Sequence, residues 1–260
     1  MPLIEIALMA IGGMALVVLL RRAFFCGIPT ASEEVPWFNR IDTIVILAFS
    51  ILLGSLGVQA IQGPAPVYTL DILRAGILVQ VIVGSGVLTY LVVRKVPLGR
   101  FFWHGKISLL QAIGLAILLM ALLWPAVGLA NFLVNGVDAT GENSQDLVKF
   151  FETNPDPAVR WWMAFAAVIV APVVEELVFR GLIYGVLKRQ FGRVVPMLFT
   201  SVLFALVHGH LPSFVPLTVL ACCLTIGLEL SGTLFVPMLM HAIFNATTLL
   251  FIVFKVQTFL

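Results

Sequence analysis

The chain has 260 residues, 61% hydrophobic and only 11% charged, with a formal net charge of +2. Soluble domains are about 45–50% apolar and about 25% charged, so this composition excludes a water-soluble globule. The small net charge and the lack of a basic cluster exclude a nucleic-acid partner. An all-α, polytopic transmembrane bundle remains.

A span takes about 20 mostly apolar residues. That rule predicts about eight, near 3–20, 42–62, 76–93, 107–133, 159–187, 194–210, 213–230 and 233–254. Glu5 stands where a secretory signal would carry a basic region, and Arg21-Arg22 follow the first run without a small-residue cleavage site. That run reads as a retained span. Cys26, Cys222 and Cys223 form no spaced framework and read as small hydrophobes.

Lysine and arginine set the expected orientation. With an outside amino terminus, one side collects Arg21, Arg22, Arg40, Arg94, Lys95, Arg100, Lys106, Lys188, Arg189 and Arg193. The other receives Arg74, Lys149, Arg160 and Lys255. This bias places both termini away from the cytosol. The inner stretch 94–106 mixes basic residues with Phe101, Phe102 and Trp103, and is expected at the headgroup level with His104 as an interfacial histidine. The outer loop, 134–158, carries Asp138, Glu142, Asp146, Glu152 and Asp156 and reads as solvated. The chain divides into an amino-terminal region, 1–157, and a core, 158–254, that holds the informative polar residues.

The fifth span contains VVEELVFRG at 173–181. Charged residues at mid-membrane cost roughly 2.5–3.5 kcal/mol each on insertion scales. Glu176 and Arg180 are four apart and can pair on one helix face. Glu175 points about 100° away and has no local cation. The alternative, an ion pair that only locks helix packing, stands beside the general rule that intramembrane ionisable residues are functional. Pro172 is expected to kink the helix just before the pair. Gly181 and Gly185 predict a closely packed neighbour.

Two further spans carry polar pairs at helical spacing, Phe204 with His208 and His241 with Asn245. At about 1.5 Å per residue from the cytosolic ends, Glu175 lies roughly 18 Å deep, His208 about 21 Å, His241 about 12 Å and Asn245 about 18 Å. Overlapping depths on three spans predict one buried cluster, although each residue alone could be interhelical glue. His210 and Glu229 read as residues tolerated at span ends. The expected chemistry is hydrolytic: Glu175 as general base on a water shared with His208, and His241 with Asn245 as oxyanion donors. No serine-and-base signature is present, and the cysteines lie outside the cluster, which disfavours a covalent nucleophile.

EELVFR (175–180), FALVH (204–208) and HAIFN (241–245) resemble the EExxxR, FxxxH and HxxxN motifs of the type II CAAX prenyl protease and bacteriocin-processing family. Gly181 and the approach SGTLFVPMLMH (231–241) fit as well, and the resemblance covers about 158–250. It implies an intramembrane endopeptidase of the bilayer, open toward the cytosol, that cleaves a peptide or protein substrate, prenylated or not. Carried over, Glu175 and His208 activate water, Glu176 and Arg180 support the acidic end, and His241 and Asn245 stabilise the oxyanion. Members of this family are also labelled metalloproteases, and Glu175, His208 and His241 would form a His₂Glu zinc set. No HExxH helix is present, and the metal-free glutamate mechanism is the expectation, with zinc as its rival. The competing class is a transporter or a peptide-sequestering immunity protein. Transporters often carry broken helices in both halves, whereas the polar intramembrane residues here crowd into 175–245.

Overall fold

The computed structural model describes residues 3–24, 37–64, 68–136 and 145–254. Cys26, Asp138, Glu142 and Lys255 lie outside them. The described residues are helical, with α1 at Leu3–Phe24, α2 at Arg40–Gln62, α3 at Leu70–Val93 and the short α4 at Leu98–Phe102. These are followed by α5 at Leu109–Asn135, α6 at Asp146–Thr153 and α7 at Pro157–Phe191. The last three are α8 at Val194–Val207, α9 at Phe214–Ser231 and α10 at Phe235–Val253. Seven are long and apolar enough to cross a membrane, and α8 is a shorter apolar helix. The short sixth span of the sequence reading is that helix.

Helix starts follow local capping chemistry. Asn39 and Asp42 form a reciprocal box on α2, Ser108 and Gln111 do the same on α5, and Thr69 caps α3. Asp156 caps α7 ahead of Pro157, whose missing N–H is harmless at a first turn. Gly232 ends α9 in a left-handed conformation, φ 68°.

The core is built on α7, α8, α9 and α10, with α5 across α9 and α10 and α1 on α5. α9 is the most enclosed span, and α1, α2 and α3 lie at the periphery. α2 packs on α8 and α7, and α3 on α7. The contact of α2 with α8 depends on Gly57, where a Cβ would fall 2.4 Å from the Leu206 carbonyl oxygen. Gly57→Val is therefore expected to push α2 off the end of α8 and to lower stability by about 1–3 kcal/mol. Gly76, with open space around it, is the control. Thermal unfolding in detergent checks the pair, and equal midpoints for both variants would refute this account of the contact.

Residues 94–106 are not a free interfacial loop. Backbone N–H groups of His104 and Gly105 donate to the Gly232 carbonyl, Leu234 N–H donates to the Phe102 carbonyl, and Trp103 bridges to Thr233. Gly105 is required there, because a Cβ would sit 2.0 Å from the Ser231 carbonyl oxygen. Phe101 enters the groove left by Gly181, where a Cβ would lie 2.9 Å from the ring. The close neighbour expected from the two glycines is thus found at Gly181 as an aromatic of α4, whereas a Cβ at Gly185 would meet Phe38 at 3.8 Å. Burial and the nearby Lys188 ammonium hold His104 below the usual imidazole range.

A second ionic cluster closes the same end. Glu229 is fully buried and accepts from Tyr184 Oη at 2.9 Å and Lys188 Nζ at 2.6 Å, with Arg193 Nε 3.4 Å from its other oxygen. It ties α9 to α7, where the sequence suggested only a charge tolerated at a span end. Asp42 of α2 likewise accepts from Tyr90 at 2.5 Å and pairs with Arg94 at 2.8 Å. Arg189 of α7 donates to the Phe38 carbonyl, joining the approach to α2 to α7.

Candidate active site

α7 is not a uniform α-helix. It widens to π-type i→i+5 bonding at Ala166–Val170 and again at Leu177–Tyr184, with an α-helical piece, Ala171–Glu176, between. Such bulges cluster at functional sites. Pro172 explains part of the first. The N–H of Ala171 reaches back five residues to the Ala166 carbonyl, and in that register residue 172 would serve Ala167. Proline has no N–H to give. The freed Ala167 carbonyl instead accepts from Asn245 Nδ2 at 2.7 Å. The kink expected at Pro172 is this local change of helix type, closed by a side chain from α10.

The two glutamates occupy different environments. Glu176 is fully buried; its Oε1 accepts from Arg180 Nη1 at 2.9 Å and from His241 Nδ1 at 3.0 Å. Arg180 is buried too, donates through Nη2 to the Ala221 carbonyl of α9 at 3.0 Å, and lies over the Phe204 ring at 4.7 Å. Glu175 is partly open, with 21% of its side chain exposed. Its Oε2 has no hydrogen-bond partner, and it lies 3.9 Å from His208 Nε2 and 4.0 Å from His241 Nε2.

The other ring nitrogens define the tautomers. His208 Nδ1 is 2.6 Å from the Phe204 carbonyl, which can only accept, so this nitrogen carries the proton. His241 Nδ1 faces the carboxylate shared with Arg180 and donates to it. With both rings neutral, each Nε2 directs a lone pair toward Glu175 Oε2. Two hydrogen bonds of about 2.8 Å meeting near a right angle span about 4 Å, so a water molecule matches both gaps. A tetrahedral zinc ion with arms of about 2.0–2.1 Å sets its ligands about 3.4 Å apart. The observed separations are wider, and among the described residues no group of three His, Cys, Asp or Glu side chains is arranged to hold a metal. The zinc set does not fit as placed.

Five of the six residues singled out in the sequence, Glu175, Glu176, Arg180, His208 and His241, meet between α7, α8 and α10, and Asn245, one turn along α10 from His241, reaches the Ala167 carbonyl. The geometry adds what spacing could not supply. His241 is committed at Nδ1 to Glu176, and Asn245 has one N–H on Ala167, leaving its second amide hydrogen. The Phe204 ring contacts Arg180, His208 and His241, with centroid separations of 4.6 Å and 5.7 Å to the two imidazoles. The FxxxH spacing was the only sign of this residue. The Ala167 and Ala221 carbonyls carry no side-chain signal at all.

Residues 157–247 match the family model for type II CAAX prenyl endopeptidase Rce1-like proteins. The match covers that segment, about a third of the chain. It begins at the first residue of α7 and contains the whole cluster. The chain is also 25% identical over 118 residues to "Putative membrane peptidase YdiL" of Bacillus subtilis (strain 168). That alignment spans 45% of this chain and 46% of the relative, so about half of each protein is compared. No solved structure matches the chain significantly.

Proposed function

We propose that the chain is an intramembrane endopeptidase that hydrolyses a peptide bond of a membrane-associated substrate, with a prenylated peptide as the leading substrate class. The observation that carries this reading is the unpartnered Glu175 Oε2 between two imidazole Nε2 atoms at 3.9 and 4.0 Å. In this reading a water bound there gives a proton to Glu175 while His208 Nε2 accepts its second hydrogen bond, and the oxygen attacks the carbonyl carbon. The proton then passes to the leaving amine. Asn245 offers its second N–H to the oxyanion, and His241 joins it in the imidazolium form, having taken a proton from solvent before the substrate enters and keeping it through the step. Glu176 and Arg180 hold the His241 ring without touching substrate. The positive-inside bias directs the site to the cytosolic side, and no metal takes part in any step.

The test uses purified protein in nanodiscs and an internally quenched farnesylated peptide. Cleavage is expected from the wild type, with substoichiometric zinc and no response to chelators, and it is expected to vanish in Glu175→Ala and His208→Ala. Cleavage surviving in both folded variants would show that this cluster does not carry it, and no cleavage by the wild type would leave the transporter or sequestering class in place. Stoichiometric zinc with chelator-sensitive turnover would overturn the metal-free step.

A further inference from the structure

α3 lies outside the matched segment, yet one of its faces packs on α7, the helix that carries Glu175 and Glu176. Leu73, Ile77, Gln80, Gly84, Val87 and Leu91 recur at alternating four- and three-residue steps, which places them on one stripe. The stripe is the least exposed face of α3, and its inner half, from Gly84 onward, is buried. Gly84 registers it: a Cβ there would lie 3.3 Å from Val174 Cγ2, the residue before Glu175. Gln80 is one turn away on the same stripe, at the level where α3 meets the widened Ala166–Val170 segment.

Gln80 is the polar member of that stripe. Its Oε1 is sealed from the surface and has no hydrogen-bond partner. A carboxamide in hydrocarbon is retained against a standing penalty unless something pairs with it. Among the described residues no group donates to its Oε1. The missing partner is one that arrives with the substrate. A carboxamide has an acceptor and a donor side by side, matching the N–H and C=O of an extended peptide. A peptide in the bilayer has backbone groups in need of such partners.

From this the geometry points to Gln80 as a substrate-positioning residue, whose carboxamide hydrogen-bonds the peptide backbone about one helical turn from the scissile bond. This rests on the endopeptidase reading and assigns the amino-terminal half a part in it. The interaction is made equally in ground and transition states, so it acts on binding more than on chemistry.

The experiment compares wild type with Gln80→Leu, which keeps the size and removes the polar atoms. The probe is the quenched farnesylated peptide and a set of versions, each N-methylated at one backbone amide. Gln80→Leu is expected to raise KM about tenfold with kcat nearly unchanged, the size of one hydrogen bond. One N-methylated peptide is expected to lose about tenfold on the wild type and nothing further on Gln80→Leu. If every N-methylated peptide keeps the same penalty on both proteins, Gln80 does not touch the substrate and the inference fails. A fall in kcat for all peptides together with a lower unfolding midpoint would make Gln80 a packing residue and fail it equally. Should wild type and Glu175→Ala be indistinguishable on the parent peptide, the endopeptidase reading itself falls, and this one with it.

Discussion

Glu175→Gln is expected to reduce the rate of cleavage by about 10²–10⁴-fold, the usual contribution of a positioned base, while the protein still binds the peptide. The expectation follows from the separation of roles between adjacent carboxylates. Glu175 is the member with an open side, its unpartnered Oε2 faces two imidazoles, and the buried arginine pairs with Glu176 instead. The amide keeps the shape of the side chain and removes the site that takes the proton, so kcat falls and KM changes little. The variant becomes a trap that holds uncleaved peptide. Single-turnover kinetics with a binding measurement by fluorescence anisotropy check this. A variant with wild-type kcat would remove Glu175 from the chemistry.

Arg180→Met is expected to act on the fold first. Glu176 is fully buried, and Arg180 supplies its cationic partner at 2.9 Å. Removing one member of a buried pair costs about 3–5 kcal/mol, because the other is left as an uncompensated charge. The guanidinium also reaches the Ala221 carbonyl, so α7 loses a tie to α9. Arg180→Lys is expected to restore part of the loss, since one ammonium cannot reproduce a planar fork serving two acceptors. Glu176→Gln combined with Arg180→Met is expected to be more stable than Arg180→Met alone, which makes the coupling measurable as a double-mutant cycle. Unfolding midpoints in detergent decide it. Wild-type stability in Arg180→Met would show that the pair does not hold α7.

Much of this was legible from residue order. The spans follow from hydropathy because the bilayer demands about 20 apolar residues whatever the tertiary fold. The Glu176–Arg180 pair follows from i,i+4 geometry, which is local. The contact between His241 and Glu176 was out of reach. Counting residues placed His241 about 6 Å shallower than Glu175, yet its Nε2 lies 4.0 Å from that carboxylate. Depth arithmetic gives a level and no azimuth, and it assumes an ideal rise along α7. That helix widens at Ala166–Val170 and Leu177–Tyr184, and i→i+5 bonding has no residue signature beyond the missing N–H of Pro172. The stitching of residues 102–105 to 231–234 was invisible for a different reason. It runs through backbone groups, which every sequence possesses.

That stitch sets a common datum for the two halves of the site. His241 lies less than two turns into α10, which starts at the pinned turn, and Phe101 of the same interfacial segment seats in α7 at Gly181. Both helices are therefore levelled against one fixed ledge. When the bilayer thins or thickens, the peripheral spans can tilt to follow it. The heights of Glu175 and His241 relative to each other stay set by the protein.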